Sequence, residues 1–85
     1  VSAAIKIEIS DEPTGDVVHR FRNFGEDIYR ELRDTCSVSI DEIDRSTTSF
    51  VVRDIHKRHL GVVTQTIKRE LRRHHFEQTA TLTRV

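Results

Sequence analysis

The spacing of apolar residues constrains this chain more than any other feature. It is two, then 3.6, then two, then 3.6, then two again. Ala3, Ile5, Ile7 and Ile9 alternate with Lys6 and Glu8, as in a half-buried strand. Pro13 and Gly15 interrupt the pattern, and the acidic residues around them suit the positive end of a following helix. Val17, Phe21, Phe24, Ile28 and Leu32 then recur at spacings of 4, 3, 4 and 4, one stripe of a helix of about five turns. Gly25 lies inside that stripe at a cost of about 1 kcal/mol relative to Ala. Either a close approach to the sheet or a kink would account for it.

From Cys36 the period returns to two, with Val38 and Ile40 in phase and Ile43 out of phase, as at a bulge or an early strand end. A polar turn over 44–48 leads to a third strand over 49–55. Leu60, Val63, Ile67 and Leu71, spaced 3, 4 and 4, mark a second helix from about Lys57 to His74. Residues 79–85 alternate threonine with other residues and form the weakest strand candidate. The resulting order predicts an α+β chain, a ferredoxin-like β-α-β-β-α-β sandwich with a four-stranded antiparallel sheet and two helices on one face. If the last segment were a tail, the three remaining strands would need a partner strand, and the protein would be an oligomer.

Length and composition set limits on this fold. Eighty-five residues support one core, which hides roughly 60–65% of the surface that the unfolded chain exposes. Residues 1–85 therefore read as one domain, with the possibility that it was excised from a longer chain, since the sequence starts at Val1 and has no methionine. Cys36 is the only cysteine, which excludes an intrachain disulfide and points to a reducing, cytoplasmic setting. No apolar run exceeds three residues, so neither a membrane span nor a signal peptide is expected.

The net charge is zero, but the charges are unevenly distributed. Residues 1–55 carry 7 Lys/Arg against 12 Asp/Glu, residues 56–76 carry 6 against 1, and residues 77–85 carry 1 against 1, giving −5, +5 and 0. The candidate binding residues are therefore Lys57, Arg58, Lys68, Arg69, Arg72 and Arg73, opposed only by Glu70. One use for such a helix is contact with a polyanion such as a nucleic-acid backbone. Another is contact with an acidic protein surface, including that of a second copy, because the first 55 residues carry the compensating charge. A solvated helix face is the plain structural alternative. His56, His59, His74 and His75 flank the helix, and full protonation would raise the segment from +5 to +9. That predicts pH-sensitive binding between about pH 5 and 7.

Motifs that would commit the chain to a reaction are missing. Cys36 falls on an inward strand position, where an inert small hydrophobe fits best. Asp41, Glu42 and Asp44 suit a solvated turn, and His56-x-x-His59 has no third ligand at metal spacing. His74 and His75 point to different sides of the helix end. The open sheet face, expected to present Lys6, Glu8, Ser37, Ser39, Asp41, Ser49, Val51, Arg53, Thr79, Thr81 and Thr83, has no aromatic on which a base could stack. Asp11 and Gly15 resemble the acidic residue and glycine of the first loop in regulatory ACT domains, although the first helix here is longer. That resemblance implies a small-ligand regulatory domain. With no enzyme activity, cofactor or metal indicated, the leading expectation is a protein-interaction or assembly module that self-associates. A nucleic-acid- or anion-binding domain and a small-ligand domain follow it.

Overall fold

The computed structural model describes residues 2–35, 39–41 and 48–85. The chain is α+β, with an antiparallel sheet and two helices. Strand β1 (Ser2–Ile9) lies between β3 (Ser49–His56) and β4 (Ala80–Arg84). A three-residue segment, β2 (Ser39–Asp41), pairs with the outer side of β3, so the hydrogen-bonded order is β2-β3-β1-β4. The expected weak point has moved. The threonine-rich β4 pairs with β1 from Ile5↔Arg84 to Ile9↔Ala80, while the short strand is β2. Cys36, Val38 and, except for Thr48, the turn expected over 44–48 lie outside the described residues.

The helices are α1 (Gly15–Thr35) and α2 (Leu60–Arg73). At the start of α1 the Val17 amide donates to Thr14 Oγ1 at 3.3 Å, and Asp16 lies in the first turn, where a negative charge is favoured. The predicted stripe is the buried one: Phe21, Phe24, Ile28 and Leu32 join Ile5, Ile7 and Ile9 of β1, Phe50, Val52 and Ile55 of β3, and Val63, Ile67 and Leu71 of α2 in one core. Val17, Ala80 and Leu82 pack at its margin, partly buried.

Two local departures from the expected pattern have clear causes. In β3 the inward residues are Phe50, Val52 and Ile55, spaced two and then three. The register with β1 shifts between Ala3 and Ile5, and Asp54 takes a left-handed φ of 61°. The extra residue is a bulge that returns Ile55 to the core face. At the second helix, residues 57–59 form a 3-10 turn, because His56 Nδ1 accepts the Arg58 amide at 3.2 Å. The α-helix thus begins at Leu60, the first residue of its apolar stripe and later than the expected start near Lys57.

The end of α2 is a Schellman motif. The Phe76 amide donates to the Leu71 carbonyl at 2.8 Å and the His75 amide to the Arg72 carbonyl at 3.2 Å, with His75 in the left-handed position that glycine usually fills (φ 64°). Phe76 is thereby turned into the core. Its carbonyl takes the amides of Thr79 and Ala80, which delays β4 to Ala80 and leaves Thr79 in a turn.

Gly25 makes no kink, since α1 runs through it without a break, and its approach to Phe50 does not require a glycine. A Cβ built there would meet the Phe50 ring at 3.6–4.0 Å, an ordinary contact. Gly25→Ala should therefore raise stability by about 0.5–1 kcal/mol through helix propensity alone. Urea denaturation checks this, and a loss of stability would show that the helix cannot accept even a methyl group against Phe50.

Candidate functional site

All six basic candidates are exposed, but they do not form one uncommitted surface. Arg69 Nη2 pairs with Glu31 Oε2 of α1, which joins the outer sides of the two helices. Arg73 Nη1 lies 3.5 Å from Glu70 Oε1, and Arg72 Nε lies 3.4 Å from Glu77 Oε1. These three arginines are answered by the protein's own carboxylates. Lys57, Arg58 and Lys68 make no ion pair among the described residues. Only this half of the predicted patch is left for an external anion.

The histidines separate in the same way. His56 and His59 sit together at the start of α2, with ring centroids 6.1 Å apart. His75 is exposed, whereas His74 turns inward against the Phe24 ring at 5.9 Å. They do not form one exposed cluster.

Beneath the basic helix lies a group of residues that the sequence did not reveal. Glu70 and His74 stand one turn apart on α2 and face Asp27 of α1, and the donor atoms of all three fall within 4.8 Å of one another. His74 Nε2 is 2.9 Å from Asp27 Oδ2 and 3.8 Å from Glu70 Oε2. Glu70 is 1% exposed, and its Oε2 has no hydrogen-bond partner. Each carboxylate turns its other oxygen toward arginine: Asp27 Oδ1 lies 3.5 Å from Arg30 Nη1, and Glu70 Oε1 lies near Arg69 and Arg73. In the sequence Glu70 is the lone acid in a basic run and Asp27 sits on the flank of the α1 stripe. The spacing Glu70-x-x-x-His74, which puts two donors on one helix face, was the available signal.

The sheet offers two further surfaces. Its open face carries Lys6, Glu8, Arg53, Thr81 and Thr83, with Ala4 and Val51 half-buried among them. Ser49, expected there, is buried. The outer edge of β4 is the second. The Ser10 amide donates to the Thr79 carbonyl and the Val85 amide to the Ala4 carbonyl, which fixes the phase of the β1/β4 ladder. By the alternation of antiparallel pairing, residues 81 and 83 turn their amides and carbonyls toward β1, whereas Leu82 and Arg84 turn theirs outward. In the first loop, Asp11 Oδ1 is buried without a hydrogen-bond partner, and a Cβ at Gly15 would meet nothing within 4 Å. The glycine of the ACT-like pair is therefore not required by packing.

No helix among the described residues is long and apolar enough to cross a membrane. No family model matches the chain, and no curated protein and no solved structure matches it either.

Proposed function

We propose that the chain is a non-catalytic interaction module that self-associates through the outer edge of β4, and that its fold is the ferredoxin-like β-α-β-β-α-β sandwich. The strand order β2-β3-β1-β4, antiparallel throughout, supports the fold reading. The observation that carries the functional reading is the unguarded edge. Natural sheets blunt their edges with proline, bulges, lysine or inward-pointing charge. The run Ala80-Thr81-Leu82-Thr83-Arg84 has none of these before its last residue.

A second copy is the occupant that this edge fits. Two β4 strands paired about a two-fold axis at Leu82 would exchange both Leu82 hydrogen bonds, bring Thr81 opposite Thr83, and pair the Arg84 amide with the Ala80 carbonyl. The Ala80 amide is already taken by Phe76, so its carbonyl is the group left to pair. The pairing would also cover Leu82, which the single chain leaves partly buried. Such an interface is isologous and closes at a dimer. A reducing, cytoplasmic setting belongs to the same reading, since Cys36 is the single cysteine.

The exposed cations Lys57, Arg58 and Lys68 support a second reading, contact with a polyanion. One pair of titrations separates the two. A dimer that survives high salt, with no affinity for random-sequence nucleic acid, supports edge pairing. Binding to nucleic acid that collapses as salt rises supports the polyanion reading. Reversing Lys57, Arg58 and Lys68 to Glu should leave edge pairing intact and abolish polyanion binding. Arg69, Arg72 and Arg73 are unsuitable for that test, because their reversal would set like charges against Glu31, Glu70 and Glu77 within the fold.

A further inference from the structure

We propose that Asp27, Glu70 and His74 form a binding site for a divalent transition ion of the zinc type. The unanswered oxygen of Glu70 is the starting point. A buried carboxylate oxygen without a hydrogen bond is costly and rare in folded proteins. His74 cannot answer it, because an Nε2–H supplies one hydrogen and Nε2 lies 2.9 Å from Asp27 Oδ2 but 3.8 Å from Glu70 Oε2. Arg69 and Arg73 approach the other oxygen, Oε1. The cluster as built by the protein alone therefore leaves one buried acceptor directed at its own centre.

A cation at that centre meets all three donors at once. With two separations of 2.9 and 3.8 Å and a third of at most 4.8 Å, the donor atoms lie on a circle of limited size. A point equidistant from them is about 1.9–2.4 Å from each, which brackets the usual 2.0–2.2 Å bonds of zinc to imidazole nitrogen and carboxylate oxygen. One nitrogen and two carboxylate oxygens suit zinc, cobalt and nickel, whereas calcium and magnesium favour oxygen alone. The two carboxylates present −2 to a divalent ion, offset in part by Arg30, Arg69 and Arg73 on their other oxygens. Binding uses the Nε2 lone pair, so the bound imidazole is the neutral ring with its single proton on Nδ1; a neutral ring reaches that form by exchanging its Nε2 proton for an Nδ1 proton through solvent.

The surroundings hold the donors in place. The arginines on Asp27 Oδ1 and Glu70 Oε1 orient each carboxylate so that its second oxygen turns inward, the arrangement by which outer contacts aim metal ligands. The Phe24 ring fixes one side of the imidazole. The side chains of Asp27 and His74 are 21% and 15% exposed while that of Glu70 is 1%, so the fourth coordination position faces solvent and gives the ion its way in.

Cobalt titration of the purified chain tests the site, because Co2+ bound by nitrogen and oxygen donors absorbs in the visible. The expected result is one ion per chain, displaced by Zn2+. Glu70→Gln and His74→Gln should each weaken binding by about tenfold or more, and a His56→Gln/His59→Gln double variant should bind as wild type does. Where a cluster variant fails to fold, side-chain NMR of the wild-type histidines decides: Zn2+ should shift His74 Nε2 and leave His19, His56, His59 and His75 in place. No binding, full binding by both cluster variants, or a zinc shift confined to His56 and His59 would overturn the proposal.

Discussion

Phe76→Ala should destabilise the protein by about 3–5 kcal/mol, the range for deleting a buried aromatic ring from a core. Phe76 is fully buried although it lies outside every helix and strand. It meets Phe21 edge-on at 5.6 Å and Phe24 at 6.3 Å, and the Arg20 guanidinium lies 4.7 Å over its ring. Aromatic pairs of this kind contribute about 0.5–1.5 kcal/mol beyond the area they bury. The ring also closes the Schellman motif of α2 onto α1, so its loss leaves a cavity and loosens the turn that leads to β4. A domain of this length has a total stability of roughly 4–13 kcal/mol, so a large share would go. Urea denaturation should show a much lower midpoint with the slope unchanged. Exposed Val62→Ala should stay within about 0.5 kcal/mol of wild type. A Phe76→Ala loss below about 1 kcal/mol would contradict the packing described above.

Glu70→Met should act in the opposite direction and stabilise the metal-free protein by about 1–3 kcal/mol. Replacing a buried ionic group with an apolar side chain of similar volume is often neutral or stabilising, whereas removing one partner of an obligate pair is destabilising. The deciding question is what the substitution strands. Arg69 keeps Glu31, Arg73 is largely solvent-exposed, and His74 keeps Asp27 at 2.9 Å. None becomes an isolated buried charge, while the unanswered Glu70 Oε2 disappears. Thermal and urea unfolding in the presence of a chelator checks the sign. Adding Zn2+ should narrow or reverse the difference, because only wild type gains from ligand binding to the folded state. A clear loss of stability on Glu70→Met in chelator would mean that Arg69 and Arg73 fully compensate the buried carboxylate.

Most of the fold was legible in the chain because the two periodicities report burial directly. The α1 stripe from Phe21 to Leu32 and the alternation of Ile5, Ile7 and Ile9 follow from one face of each element meeting the core. Phe76 was not legible, because it follows two histidines beyond the helical stripe and is placed by a backbone motif that here lacks the usual glycine. The bulge at Asp54 left only a trace, the three-residue step from Val52 to Ile55. Among the site residues, the basic run was visible as charge, but its division into paired and unpaired halves depends on which carboxylates α1 and the turn at Glu77 bring near. The Asp27, Glu70 and His74 cluster joins residues from two helices, and pairing between helices has no local signature.

Self-association through β4 is tested most directly by comparing wild type with Arg84→Pro in sedimentation across a wide range of protein concentration. Proline at this position leaves the hydrogen bonds of β4 to β1 intact, because the Arg84 amide turns away from β1, but it removes an outward donor from each strand of the proposed pair. The account predicts a wild-type dimer that persists at high salt and an Arg84→Pro variant that is folded and shifted to monomer. A wild-type protein that stays monomeric at the highest concentrations, or a dimer that Arg84→Pro leaves unchanged, would contradict it.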